Sequence, residues 1–366
     1  MSGTESNRRR ILETAGATVG LGLAGCLGGG ESETAVADAA DGFEGETLRV
    51  MVWSGNYGDR FEEEVKRLYE HETGVTLEVE RGWGEVLERI REAPEDDPPY
   101  DVTITEGSFY LAGRNEGLFE PIRAENVPNL EDTMEFYREF RPTEYGVPVD
   151  GAPCTLIYRE DLDFEPTSWS DMVSPPSDVG IGVDYGFWAF PLHAVAVGMD
   201  EADGANELYT GQGEMVLERL GEMDVTGWAT SGEEIWDLFE AGEIDLAQFY
   251  FEQTHYDIDF QEGLSHVTPP DSPAFVNHWC VVRGTEKRDL AEHFLNFLLD
   301  ADIQSQWAQL TPSLFTNRDV TYPSNLDEWL PTSSEEAAQF AFPDWEAFNE
   351  DWELYENAIT EMAEGS

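Results

Sequence analysis

After Leu48 the chain alternates between two periodicities, and this alternation restricts its fold more than any other feature. "LRVMVW" is an apolar strand pattern, and "DRFEEEVKRLYEHETG" sets Phe61, Val65, Leu68 and Tyr69 on one face at helical spacing, with Gly74 as the stop. "VTLEVE" then alternates, with Val75, Leu77 and Val79 on one side. "EVLERIRE" reads as a second helix and "YDVTIT" as a third strand. This β-α-β-α-β order predicts an open, mostly parallel sheet wrapped by helices. In such sheets ligands bind at the carboxyl ends of the strands. Two ends combine glycine with polar or aromatic groups: "WSGNY", Trp53 to Tyr57, and "EGS", Glu106 to Ser108.

A second unit begins near "EYGVPVDGAPCTLIYRED". "VGIGVDYGFWAFPLHAVAVG" reads as a strand ending at Asp184 and then a helix. A further strand runs from Ile244 to about Tyr250, and its alternation puts Phe249 and Phe251 on one side and Tyr250 on the other. "HWCVVRGT" reads as a strand returning to the first unit, with the helical run "DLAEHFLNFLLDADIQSQWAQL" behind it. A chain of 366 residues exceeds one ordinary core, so two lobes of roughly 150 residues are expected. The first is expected to take residues 47–147 plus about 276–316, and the second residues 148–275 plus about 317–366.

The chain carries 77 acidic residues against 20 Lys plus Arg, a net charge of -57, and only Lys66 and Lys287 are lysines. Phosphate backbones would be repelled almost everywhere, which excludes nucleic acid as a partner. An acidic, lysine-poor surface is also what a salt-adapted protein needs to stay soluble, so the global charge does not identify a ligand. The 40% hydrophobic content and 11 tryptophans predict a packed protein despite that charge.

The amino terminus has a different character. Arg8 to Arg10 form a positive n-region, "AGATVGLGLA" from Ala15 to Ala24 is an apolar h-region too short for a spanning helix, and Cys26 ends "LAGC". The paired arginines resemble a twin-arginine export signal and "LAGC" resembles a lipobox. Residues 1–25 are therefore expected to be a signal peptide, Cys26 an acylated anchor and residues 26–46 a flexible tether. This places the protein on the outer face of the cytoplasmic membrane.

Enzyme signatures are missing from the sequence. There is no "GxSxG", P-loop or dinucleotide-binding glycine motif, and the six histidines have no zinc spacing. No catalytic residue, metal or cofactor is expected. Cys154 and Cys280 fall on the two expected inter-lobe crossings, where they could form a disulfide or remain buried thiols.

Taken together, "VWSGNYGDRFEEEVKRLYEHETGV", "YDVTITEGSFYLAGRNEGLFEPI", "YGVPVDGAPCTLIYREDL", "TSWSDM", "GEIDLAQFY" and "AEHFLNFLLDADIQSQWAQL" resemble the solute-binding proteins of ABC importers. The resemblance is to the spermidine/putrescine-binding group, here as a haloarchaeal-type lipoprotein. It implies a two-lobed periplasmic-binding-protein-like α/β fold of type II, in which each lobe is a mostly parallel sheet flanked by helices and crossing strands join the two. It also implies a monomer that closes on an amine-bearing ligand and docks on a permease with its ATPase. Carried over by position, Trp53 and Tyr57 match first-lobe aromatics, Asp184 matches a second-lobe carboxylate, and Tyr250 stands where the family has tryptophan. Glu106 replaces a family serine, one family carboxylate falls on Phe187 or Trp188, and another falls on His278. Ser108 and Trp279 complete the candidate ligand set. With one carboxylate gained and about two lost, a single-headed or aromatic cation such as a thiamine-like one, or a stacked sugar, fits the same faces as well as a linear polyamine does. An anion ligand, or an extracellular hydrolase on a related two-lobe scaffold, is the remaining alternative.

Overall fold

A computed structural model describes residues 42–186, 189–199, 213–269 and 271–365. The first strand-helix repeat is as the sequence predicts. Strand β1 (Thr47–Trp53) leads into helix α1 (Asn56–Phe61), a π-helical turn (Glu62–Lys66) and α2 (Arg67–Thr73). Phe61, Val65 and Tyr69 are buried on the expected face. Tyr69 meets Phe294 and Phe297 edge-on at 4.9 Å each, a favourable geometry for aromatic quadrupoles.

Gly74 ends α2 in the left-handed region, at φ 68 and ψ 7. A side chain there clashes with its own backbone, so Gly74→Ala is expected to cost about 1 kcal/mol. A urea titration checks this, and an unchanged midpoint would contradict it.

The chain continues through β2 (Thr76–Gly82), α3 (Val86–Glu92), β3 (Val102–Glu106), α4 (Gly107–Asn115) and α5 (Glu135–Phe140) to β4 (Val147–Arg159). Beyond β4 come β5 (Ile181–Asp184), α6 (Ala189–Gly198), β6 (Val225–Ala229), α7 (Gly232–Ala241), β7 (Leu246–Tyr250), α8 (Phe251–Asp257), β8 (Leu264–Val267) and β9 (Ala274–Val281). Helix α9 (Arg288–Leu298), β10 (Leu314–Phe315) and α10 (Trp345–Phe348) follow. Ser231 caps α7, accepting the Glu234 amide on its hydroxyl at 3.3 Å. Removing that hydroxyl in Ser231→Ala is expected to cost about 1 kcal/mol. Thermal unfolding measures it, and an unchanged Tm would contradict the assignment.

The strands run in the order β2-β1-β3-β9-β4-β7-β5-β6. Pairing is parallel toward both ends, β1 with β2 and β3, and β5 with β6 and β7. At the centre it is antiparallel, where β9 pairs with β3 and β4, and β4 with β7. The fold is thus the expected two-lobed α/β arrangement, with the antiparallel pairs supplied by the crossing strands. Strand β4 spans 13 residues, pairing with β9 at its start and with β7 and β8 at its end.

One apolar core gathers around Phe61, Tyr69, Ile104, Trp279, Phe294 and Phe297. A second gathers around Trp169, Val183, Phe190, Leu246 and Trp345. Val320, Tyr322, Leu326 and Leu330 pack in the first core, so the chain returns there after β10.

One sequence expectation changes, at Phe251, and one open alternative, at the two cysteines, is decided. Phe251 does not extend the β7 strand: it opens α8 and is wholly buried in the first core. Cys154 and Cys280 are buried free thiols, and burial raises both above the ordinary thiol range.

Candidate functional site

Three strands from different parts of the chain end at one place. Glu106 closes β3, Asp184 closes β5 and Tyr250 closes β7. The backbone turns sharply after Glu106 because Gly107 has φ 47, and a Cβ on Gly107 would lie 2.3 Å from the Trp345 indole. Glycine is required there for both reasons.

Glu106 is 6% exposed, and neither of its carboxylate oxygens has a hydrogen-bond partner among the described residues. Its ion-pair partner is the Arg141 guanidinium, whose Nη2 stands 3.9 Å away, beyond hydrogen-bond reach. Burial raises the Glu106 carboxyl to about 7, against the opposing pull of Arg141 and the Trp345 indole.

Asp184 is 2% exposed and accepts the Gly186 amide at 3.2 Å. Burial raises it to about 7, the Gly186 amide opposes that rise, and the nearby Glu234 adds to it. The Tyr250 hydroxyl is buried without a partner. It is held well above the ordinary phenol range by burial, then by Asp184, Cys154 and Glu106. The Tyr250 phenol thus lies within electrostatic reach of carboxylates that close two different strands, Asp184 on β5 and Glu106 on β3.

Aromatic walls complete that space. The Tyr250 ring meets Phe190 edge-on at 5.7 Å and Phe275 at 5.8 Å. Gln248, two residues earlier on β7, is fully buried with its carbonyl oxygen unpartnered.

A second constellation adjoins the end of β1. The Trp53 indole donates to Asn277 Oδ1 at 3.1 Å and its ring stacks on Trp83 at 5.8 Å. Asn277 donates to Asp150 at 2.9 Å and Trp279 donates to Asp150 at 3.2 Å. Burial raises Asp150 to about 7 in spite of those two donors. The Tyr57 hydroxyl is buried beside Asp150 and Glu252, and burial first, then these acids, raise it well above the phenol range.

Of the sequence candidates, Glu106, Asp184 and Tyr250 come together, while Trp53 and Tyr57 line the adjoining group. Ser108 is half-buried on α4. Trp279 is fully buried, with its ring stacked on Phe61 at 5.5 Å and its indole donating to Asp150 in the adjoining group. His278 is turned toward Tyr110, at 4.6 Å between rings, and its Nδ1 lies 3.2 Å from Arg141 Nη1. Burial and Arg141 keep it neutral. On β9 the neighbouring Asn277, not His278, reaches Trp53 and Asp150. Trp188 and Cys26 lie outside the described residues.

Sequence reasoning missed Arg141, Asp150, Gln248, Phe275, Asn277 and Trp345. Asp150 carried a usable signal, as the lone acid in "GVPVDGAPC". Two surface recesses, of about 290 and 590 Å3, lie elsewhere, one beside Leu220 and Met362, the other beside Trp228 and Glu234. Neither is lined by Glu106, Asp184 or Tyr250. The buried, unpartnered polar groups at the strand ends identify the site better than these open surface depressions do. Among the described residues, no three His, Cys, Asp or Glu side chains are placed to hold a metal ion, and no helix is long and apolar enough to cross a membrane.

The family model for bacterial extracellular solute-binding proteins matches residues 58–331. No curated protein matches the chain in sequence. Among solved structures, it is similar to an ABC transporter substrate-binding protein from Bradyrhizobium japonicum USDA 110, at 17% identity and a TM-score of 0.73, over 87% of this chain and 99% of that one. The Atu4243-GABA receptor is similar at 16% identity and a TM-score of 0.72, over 87% and 98% of the two chains. The Tp0655 (TpPotD) lipoprotein of Treponema pallidum is similar at 15% identity and a TM-score of 0.68, over 85% and 99%. At these identities the structural likeness establishes the type II fold.

Proposed function

The chain belongs to the bacterial extracellular solute-binding proteins, non-catalytic receptors that deliver small ligands to ABC permeases, and from that premise we propose that its ligand is a small amine. The observation that carries this reading is the Glu106 carboxylate, buried at a strand end and raised by that burial to about 7, because its cation, Arg141, stands 3.9 Å away and the Trp345 indole offsets burial only in part. Burying such a group is costly until a cation or donor meets it. Asp184 and the Tyr250 hydroxyl, which act on one another electrostatically, and the Gln248 carbonyl on the same strand as Tyr250 are all able to accept from an ammonium group. Phe190, Phe275 and Tyr250 supply faces and edges to enclose its carbon skeleton. Lobe closure desolvates the ligand and presents one shape to the permease and its ATPase.

Arg141 favours a second reading, an amine that also bears a carboxylate. It is the ion-pair partner of Glu106 yet stands 3.9 Å from it, and its planar fork suits a ligand carboxylate. GABA, the ligand named for one structural neighbour, is of that type.

The leader belongs to the same proposal. A twin-arginine signal over residues 1–25 exports the chain, acylated Cys26 anchors it, and residues 26–46 tether a monomeric receptor to the outer membrane face. The acidic surface serves salt adaptation.

A thermal-shift panel at about pH 8 in molar salt tests the ligand class, using putrescine, spermidine, thiamine, γ-aminobutyrate, glucose, sulfate and phosphate. The largest rise in Tm is expected with an amine. Stabilisation by glucose or by an inorganic anion, with none from any amine, would overturn the reading.

A further inference from the structure

Away from the Glu106 site, one buried ion pair joins the two halves of the sheet. Arg60, on α1 just after β1, donates from Nη1 to Glu252 Oε1, on α8 just after β7, at 2.9 Å. The partners are 192 residues apart in sequence, and their side chains are only 10% and 15% exposed. The Arg60 guanidinium also lies 4.0 Å over the Tyr256 ring, one helical turn further along α8. Both helices therefore start at strand ends that carry site residues, Trp53 on one side and Tyr250 on the other.

The surroundings make this pair more than one surface contact among many. Glu64, in the π-helical turn after α1, accepts from Thr311 at 3.0 Å and feels the charges of both Arg60 and Glu252. Asp150 on β4 also acts on Glu252. Glu64 and Glu252 thus share one arginine, Arg60, with Asp150 adding a further acid beside Glu252. Breaking the contact would leave a buried carboxylate among others with no cation beside it. An exposed pair would be screened by salt and contribute little, whereas a buried one is screened far less.

We propose that the Arg60–Glu252 pair is a closure latch that tethers the helix after β1 to the helix after β7, so that the lobes separate only when it breaks. The latch adjoins the Tyr57 and Asp150 group but is separate from the Glu106 and Asp184 carboxylates, and it does not depend on which ligand they take. Its strength would set how long the lobes stay together and hence how long a captured ligand is held.

Pulsed electron resonance tests this without any ligand. Spin labels are placed at exposed Glu88 on α3 and Glu240 on α7 through Glu88→Cys and Glu240→Cys, in the full chain carrying Cys26→Ser. Arg60→Gln and Glu252→Gln are each expected to add a longer-distance population that the parent lacks. The double reversal, Arg60→Glu with Glu252→Arg, is expected to restore the parent distribution. Single variants that keep native circular dichroism and the parent distribution would overturn the proposal. A reversal that folds but stays at the longer distance would also overturn it. If the single variants do not fold, the reversal alone decides: a parent-like distribution supports the latch and any other contradicts it.

Discussion

Asp184→Asn is expected to make the ligand-free receptor more stable while removing most of its affinity for an amine. Asp184 is buried at the end of β5, where its carboxylate accepts the Gly186 backbone amide. Holding a charge there is costly, and burial raises the group from 3.8 to about 7. At about pH 8 the wild type bears that cost and asparagine does not, while asparagine can still accept from Gly186. The expected gain is about 2 kcal/mol in ligand-free stability. An ammonium ligand would lose a charge-assisted contact in a desolvated site, so amine affinity should fall about a hundredfold. Stabilisation together with loss of binding is the signature of a residue kept for its ligand. Urea unfolding and calorimetric titration measure the two effects. A variant that is destabilised, or that binds the same amine as tightly as before, would contradict the assignment.

The second large effect is on pH. Glu106 and Asp184 both ionise near 7 in the folded protein, well above the ordinary carboxylate range. The folded state therefore holds protons that the unfolded chain has already shed. Between about pH 4 and pH 7 the ligand-free protein should lose stability as pH rises, and this contribution is gone above their folded values. Binding of a cation runs the other way, because it needs the ionised forms. Raising the pH from about 6 to about 8 should tighten amine binding nearly tenfold for each acid that must ionise, close to a hundredfold for both. Protons should be released on binding below about pH 7, which shows as a dependence of the measured enthalpy on the buffer. Affinity that is flat across this window, without proton release, would mean that these two acids do not meet the ligand's charge.

Much of this arrangement was legible in the sequence, for identifiable reasons. The first two repeats could be read because their period switches cleanly from strand to helix and Gly74 marks the stop. Asp184 and Tyr250 could be placed because each closes an apolar strand. The role of Asn277 on β9 was not legible because β9 is buried along almost its whole length, so polarity does not alternate to show which residues face which side. Phe251 was misread because the β7 alternation runs unbroken into the first residue of α8. Arg60 and Glu252, or Glu106 and Trp345, meet only through tertiary packing across about two hundred residues of chain, and no local pattern records such a meeting.

The central claim is that the ligand's cationic group lies between Glu106 and Asp184. A crystal structure of the protein with the amine that stabilises it most tests this directly. The account predicts a ligand nitrogen within about 2.6–3.2 Å of a Glu106 or Asp184 oxygen, with the Tyr250 ring against the ligand. An amine found instead in the recess beside Trp228 and Glu234, with the Glu106 and Asp184 carboxylates untouched, would contradict it.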